Sequence, residues 1–193
     1  MTTAGIGGIA VLCLILLSLA HSTWRLKIAP MPSSPHARAR IIELVTAQLS
    51  AAPSNEPTVF ELGSGWGGLA AAIASKIATT TRVRGYERSL VPYMVSRSLR
   101  QRPPALTFHR DDITTAIEKV RSGDVLLCYL CPEQMQRVSD ALRARLAREP
   151  LSVTLISLTF ALPDFSPAET HTLATLYRDR LYRYAISDAA PLA

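Results

Sequence analysis

Apolar residues change their spacing along this chain of 193 residues, and the changes predict alternating strands and helices. Short continuous apolar runs, typical of strands buried on both faces, alternate with segments of helical period. The predicted strands are Thr58–Leu62, Arg82–Glu87, Ala105–His109, Asp124–Leu130, Ser152–Phe160, His171–Tyr177 and Leu181–Ile186. The predicted helices are His36–Leu49, Gly67–Ala78, Leu90–Arg100, Ile113–Val120 and Glu133–Ala147. This order predicts an α/β fold with a doubly wound, mainly parallel sheet, in which the last two strands form an antiparallel edge.

The first segment of the chain has a different character, since residues 4–20 are nearly all apolar and residues 1–24 carry no Asp, Glu, Lys or Arg. A helix over 4–24 is long enough for one crossing of a bilayer core. Arg25 and Lys27 follow directly, so the positive-inside tendency predicts that the remaining chain lies on the cytoplasmic side. A secretory signal cleaved after Ser18-Leu19-Ala20 is the alternative, but the segment lacks a basic start. We therefore expect an uncleaved, single-pass membrane anchor.

Composition and proline content complete the predicted organisation. Residues 1–28 form the anchor, residues 29–57 a Pro/Ser-rich linker and approach helix, and residues 58–193 one domain. The formal net charge is +6, from 21 Lys and Arg against 15 Asp and Glu. No basic block is interleaved with aromatic residues as a nucleic-acid groove requires, so we expect no nucleic-acid partner. We interpret the excess of positive charge as arginines scattered on solvated helix faces, with a contribution from attraction to an anionic membrane surface.

The three cysteines predict neither a disulfide framework nor a zinc site. Cys13 lies in the apolar segment. Cys128 and Cys131 form a C-x-x-C pattern along the predicted strand Asp124–Leu130 and its end, and residues three apart on a strand face opposite sides. A redox pair is therefore not expected, and a zinc site would lack its second pair of thiols.

The most informative run of the sequence is Val59-Phe60-Glu61-Leu62-Gly63-Ser64-Gly65-Trp66-Gly67-Gly68. It predicts a strand, a tight glycine turn and the start of a helix, where the backbone can approach a ligand closely. The same run satisfies the dinucleotide pattern G-x-G-x-x-G, which alone is weak. Glu61 decides between ligands, because a carboxylate inside an apolar strand is costly and would repel a pyrophosphate. It favours a cationic ligand such as S-adenosylmethionine, which carries a sulfonium and an ammonium group.

The residues that end the other predicted strands are further candidates, since ligands of open α/β sheets bind at the carboxyl ends of strands. Glu87 follows the glycines by about twenty residues, the distance at which a carboxylate meets ribose hydroxyls. Asp111 or Asp112 could accept a hydrogen bond from an adenine amino group; capping of the next helix is the alternative. Tyr129 and Asp164 are candidates for an acceptor pocket. The predicted cofactor-binding residues are Glu61, Gly63, Ser64, Gly65, Gly67, Glu87, Asp111 and Asp112.

With these residues, the chain resembles the class I S-adenosylmethionine-dependent methyltransferases. Glu61–Gly67 is similar to the first motif of that superfamily, and Gly85-Tyr86-Glu87 is similar to its acidic ribose-binding motif. More narrowly, the chain resembles the membrane-anchored lysine methyltransferases that modify the adenine nucleotide translocase and the ATP synthase c-subunit, together with their bacterial relatives. The features that carry this narrower resemblance are the N-terminal span, Pro30-Met31-Pro32-Ser33-Ser34-Pro35, Gly85-Tyr86-Glu87, Tyr129-Leu130-Cys131-Pro132-Glu133 and Phe160–Pro167.

The resemblance implies a Rossmann-like methyltransferase domain, S-adenosylmethionine as cofactor, and methyl transfer to a lysine of a membrane-associated protein. Two alternatives stay open. One is a methyltransferase for a lipid or another small molecule. The other is a nucleotide-binding Rossmann protein without methyl transfer.

Overall fold

The computed structural model describes residues 7–8, 13, 33–51, 56–99, 103–174 and 179–188. Gly7, Gly8 and Cys13 are helical, but the rest of the predicted anchor over 4–24 lies outside the described residues. Within the described ranges, no helix combines the length and the apolar character that a membrane crossing requires.

The described elements alternate between helix and strand, as the apolar pattern predicts. The helices are α1 (Pro35–Ala51), α2 (Gly68–Ala74), α3 (Leu90–Arg97), α4 (Ile113–Glu118) and α5 (Pro132–Leu146). The strands are β1 (Thr58–Leu62), β2 (Arg82–Tyr86), β3 (Leu106–His109), β4 (Val125–Cys128), β5 (Ser152–Leu158), β6 (Glu169–Thr172) and β7 (Arg180–Ser187).

The strands form one seven-stranded sheet in the order β3-β2-β1-β4-β5-β7-β6. The first five strands are parallel to their neighbours, whereas β7 is antiparallel to β5 and β6 is antiparallel to β7. This confirms the predicted mainly parallel sheet with an antiparallel edge. Chain order reverses on either side of β1, between β2 and β4, and such a switch point is where open α/β sheets bind ligands.

Both faces of β1 are buried, which is why its five residues read as an almost continuous apolar run. Phe60 and Leu62 pack against α4 and α5 on one face. Val59 lies on the other face with α1 and α2, which contribute Ile41 and Ile73 to the same cluster. Burial of each such side chain stabilises the fold by roughly 1.5–3 kcal/mol. The approach helix α1 is therefore part of the core, and its amino end reaches the switch point.

The structure corrects the predicted end of the strand that contains the C-x-x-C pattern. The strand β4 ends at Cys128, two residues earlier than predicted, and Cys131 is the N-cap of α5. The reason is Pro132, which has no N–H to give to a strand ladder and suits the first turn of a helix. Burial raises the pKa of the Cys128 thiol.

Candidate functional site

A cleft opens at the carboxyl edge of the sheet, beside β1. It brings together the predicted cofactor-binding residues with the exception of Gly67, and Tyr129 also lines its wall. These residues come from the ends of four parallel strands and from the turns that follow them. Because parallel strands end at the same edge, residues far apart in sequence converge there.

The glycine turn between β1 and α2 uses left-handed backbone at three positions, with φ of 75° at Gly63, 51° at Gly65 and 79° at Gly67. An added Cβ at Gly63 would lie 2.5 Å from Leu130, and one at Gly67 would lie 2.6 Å from Phe108. No described atom lies within 4 Å of a Cβ added at Gly65. Two of the glycines therefore allow close packing, whereas Gly65 presents bare backbone to open space in the cleft.

Glu61 is the fourth residue of β1 and is only 7% exposed. Its Oε2 accepts a hydrogen bond of 2.9 Å from the backbone N–H of Ala70 in the first turn of α2. Burial raises the pKa of the Glu61 carboxyl to about 8, and the nearby carboxylate of Glu87 adds to the rise. The Ala70 N–H and the Arg38 guanidinium lower this pKa, but by less than burial raises it. The site therefore favours a cation beside Glu61, because a cation would replace the hydration that burial removed.

Glu87 follows β2 and is 9% exposed. Its Oε2 accepts a hydrogen bond of 2.9 Å from the N–H of Gly65, and its Oε1 accepts one of 2.6 Å from the N–H of Ser89. These bonds fix the carboxylate against the glycine turn. An ionised carboxylate has about four acceptor positions, so further positions stay available for ligand hydroxyls.

Asp111 and Asp112 both line the cleft, but their carboxylates have local partners. Asp112 is the N-cap of α4 and accepts from the Thr114 N–H at 3.1 Å, while the guanidinium of Arg137 lies 2.7 Å away. Burial opposes ionisation of Asp112, but these two contacts outweigh burial and lower its pKa. Asp111 forms an ion pair of 3.3 Å with Lys119. The capping alternative thus holds for Asp112, and both residues remain at the cleft wall.

The two residues predicted for an acceptor pocket lie in different places. Tyr129 lines the cleft immediately after β4. Asp164 is not part of this wall: its Oδ2 accepts a hydrogen bond of 3.0 Å from Ser139 on α5 and lies 3.4 Å from Arg143. The Ser139 hydroxyl is the largest influence that lowers the pKa of Asp164. The loop after β5 therefore places this carboxylate against α5, outside the wall of the cleft that Tyr129 lines.

Sequence reasoning did not single out Arg38, which reaches the cleft from α1. Its Nε donates a hydrogen bond of 3.0 Å to Oγ of the buried Ser33. Its guanidinium nitrogen lies 3.3 Å from the position that a Cβ of Gly68 would occupy. Among the described residues, no carboxylate is within ion-pair distance of Arg38. The Arg38 side chain thus lies beside the first turn of α2. No signal in the sequence predicts this position, because it depends on how α1 packs against a segment about thirty residues away in the chain.

Solved structures identify the class of fold. A methyltransferase from Geobacter sulfurreducens matches with a TM-score of 0.59 at 14% identity, over 96% of this chain and 99% of that one. The bifunctional kinase-methyltransferase WbdD matches with a TM-score of 0.57 at 16% identity, over 79% of this chain and 40% of its own. TrmN from Thermus thermophilus matches with a TM-score of 0.54 at 19% identity, over 79% of this chain and 52% of its own. The described residues thus have the fold of the class I methyltransferases.

The similarity is one of fold. No protein-family model matches the chain, and no curated protein matches it in sequence. The chain covers 40% to 42% of the length of the WbdD structures that it matches.

Proposed function

We propose that this protein transfers a methyl group from S-adenosylmethionine. The observation that carries the proposal is that the buried carboxyl of Glu61 and the open backbone of Gly65 line the same cleft. A pyrophosphate at this position would meet a carboxyl group, whereas a cationic ligand would stabilise its ionised form. The solved methyltransferases support the same class of reaction through their common fold.

The chain's own groups match the three parts of such a cofactor. Glu61 suits the ammonium of the amino-acid tail, and Arg38 suits its carboxylate. Glu87, fixed by the N–H groups of Gly65 and Ser89, suits a pair of ribose hydroxyls. Each pairing joins a buried or half-buried protein group to a ligand group of complementary charge or hydrogen-bonding role.

The bound cofactor would supply an electrophilic methyl group for in-line displacement. The protein then has to align the acceptor and exclude water. Tyr129, at the end of β4, is our candidate for lining the acceptor side of the cleft. A lysine acceptor must lose its proton before transfer, and burial in a low-dielectric pocket lowers a lysine pKa.

We propose a lysine of a membrane-associated protein as the acceptor. Support comes from the apolar run over 4–24 and from the resemblance to membrane-anchored lysine methyltransferases. An anchor with the catalytic domain on the cytoplasmic side would raise the effective concentration of acceptors near the membrane. Transfer to a lipid or to a small molecule is the alternative.

Titration calorimetry tests cofactor binding. Adenosylmethionine and adenosylhomocysteine should bind the full chain, and Glu87→Ala should weaken adenosylhomocysteine by at least about tenfold through loss of the ribose contacts. Asp140→Ala is the matched control, since it removes an exposed carboxylate from α5 and should leave the affinity unchanged. Binding of NAD without binding of adenosylhomocysteine would overturn the proposal.

Methyl transfer itself is tested with methyl-labelled adenosylmethionine and membrane fractions. Label in protein, recovered as methyl-lysine after acid hydrolysis, is the expected result. Label in the lipid extract would replace the lysine proposal by the lipid alternative while leaving the cofactor proposal intact.

A further inference from the structure

A second concave surface lies on the opposite side of β2 from the glycine turn. The helix α4 is only six residues long, so it leaves the outer part of the face formed by β2 and β3 uncovered. The groove there is lined by Arg82, Arg84, Tyr86, Thr107, His109 and Lys119, with two threonines that precede β2. Of these residues, only Tyr86 also contributes to the wall of the cleft. The proposed methyl transfer assigns no role to this groove, which we call the basic groove.

Tyr86 supplies a polar group without a partner to the basic groove. Its side chain is 1% exposed, and its hydroxyl has no hydrogen-bond partner among the described residues. The ring is held firmly, with the Phe60 ring 6.0 Å away on one side and the His109 ring 5.0 Å away on the other. An unsatisfied buried hydroxyl costs roughly 1–3 kcal/mol, so this position favours a bound group that accepts a hydrogen bond.

Positive charge surrounds the aromatic rings of the same groove. The Lys119 ammonium lies 5.4 Å from the centre of the Tyr86 ring. Arg84 lies on the neighbouring position of the same face of β2, with its guanidinium 5.7 Å from the Phe60 ring. The pKa of His109 is lowered by burial first and then by Arg84 and Lys119, so all three groups share one field.

Carboxylates near the basic groove neutralise only part of this charge. Asp111 lies 3.3 Å from Lys119, and Glu56 lies 3.9 Å from Arg82. No carboxylate of the described residues forms an ion pair with Arg84. The Asp124 carboxylate lies in the field of Arg84 but forms no direct ion pair with it. An anion that enters the groove would therefore meet a guanidinium that no described carboxylate contacts.

We propose that the basic groove binds a phosphate group. A phosphate offers several acceptor oxygens and negative charge, which suit a groove lined by a hydroxyl donor, a guanidinium and an ammonium. In this arrangement the Tyr86 hydroxyl donates to one oxygen, and Arg84 and Lys119 neutralise the charge. The phosphate can belong to a free phosphate compound or to the headgroup of an anionic lipid, because both present the same group.

The primary test is titration calorimetry of the full chain in detergent with pyrophosphate and with inorganic phosphate. Arg84→Gln should weaken pyrophosphate by at least about tenfold, since it removes a charge-assisted contact. Arg97→Gln is the matched control, because the Arg97 guanidinium also lies over an aromatic ring, 5.8 Å from that of Tyr93, but outside the groove. Equal affinity of the wild type and Arg84→Gln, or no binding by the wild type to any phosphate probe, would overturn the proposal.

Tyr86→Phe separates ligand binding from folding. Removal of an unpartnered hydroxyl should leave the melting temperature unchanged or raise it, yet it should weaken pyrophosphate several-fold. Unchanged affinity in this variant would contradict the assigned role of the hydroxyl. A lower melting temperature would show that the hydroxyl already has a partner in the protein, and that result also counts against the proposal.

Short-chain lipids distinguish the two sources of phosphate. If dihexanoyl phosphatidic acid binds the wild type more tightly than pyrophosphate does, and Arg84→Gln loses this binding, the groove is assigned to a lipid headgroup. Dihexanoyl phosphatidylcholine is the control, because its phosphate is masked by choline. Preference for an RNA oligonucleotide over all of these probes would overturn the proposal in favour of a nucleic-acid surface. None of these outcomes depends on whether the protein binds adenosylmethionine.

Discussion

Protonation of Glu61 should link both folding and cofactor binding to pH. Burial raises the pKa of this carboxyl to about 8 from an ordinary value of 4.5. The folded protein therefore binds more protons than the unfolded chain between these two pH values. Its free energy of unfolding should fall as pH rises through this window, by about 1.4 kcal/mol per pH unit from this group alone. Urea denaturation at pH 5, 6, 7 and 8 measures the slope, and Glu61→Gln should remove this contribution.

The same carboxyl should release its proton when a cationic ligand binds. At pH 7 a group with a pKa of about 8 is about nine-tenths protonated, so binding of adenosylhomocysteine through its ammonium should release about 0.9 of a proton. Ionisation of the free carboxyl at this pH costs about 1.4 kcal/mol, which lowers the affinity roughly tenfold. Affinity should therefore increase as pH rises from 6 toward 8, because less free energy is then needed to ionise the carboxyl.

Calorimetry in buffers of different ionisation enthalpy measures the released proton directly. Asp124→Asn is the control, because burial also raises the pKa of Asp124 but this residue lies at the opposite edge of the sheet. It should leave the proton release unchanged, whereas Glu61→Gln should abolish it. Tight binding at pH 7 without proton release would refute the pairing of Glu61 with the ligand ammonium.

Three further perturbations test the site and the fold. Gly67→Ala should lower the melting temperature more than Gly65→Ala, since only the Gly67 methyl group would meet Phe108 at 2.6 Å, while Gly65→Ala should lose adenosylhomocysteine binding. Asp124→Asn should cost about 1–3 kcal/mol in urea denaturation without change in ligand affinity, because both carboxylate oxygens accept backbone N–H groups at 2.7 Å. Arg38→Ala should weaken adenosylhomocysteine about tenfold in calorimetry but leave its decarboxylated analogue unaffected, as the analogue has no carboxylate to pair; equal losses for both ligands would exclude this contact.

Much of the sheet was predictable because its strands carry a local signal. The strand β1 has the predicted bounds Thr58–Leu62, since five buried residues on a central strand give a continuous apolar run. Helix ends were less accurate: α2 ends at Ala74 and not at the predicted Ala78. An apolar run continues past the point where packing stops, so its length alone does not fix the last turn.

The treatment of Cys131 as a strand residue, one position beyond the predicted strand end at Leu130, was wrong for a related reason. Its neighbour Pro132 begins α5, and that local signal outweighs the apolar run before it. The position of Asp164 after β5 was predictable, but the direction of its side chain was not. The left-handed backbone at this residue, with φ of 62°, turns its carboxylate toward α5.

The sequence by itself determined the alternation of strands and helices and the glycine turn. It also determined that Glu61 is buried, because this carboxylate lies inside an apolar strand. These features depend on neighbours within a few residues, so their pattern is visible along the chain. Only the tertiary structure decided that Arg38 of α1 stands over the turn, that Asp112 caps α4 while Arg137 holds it, and that the short α4 leaves Tyr86 beside a basic groove. Those contacts join segments separated by tens of residues. Their geometry depends on how helices pack across the sheet, which no local spacing of residues encodes.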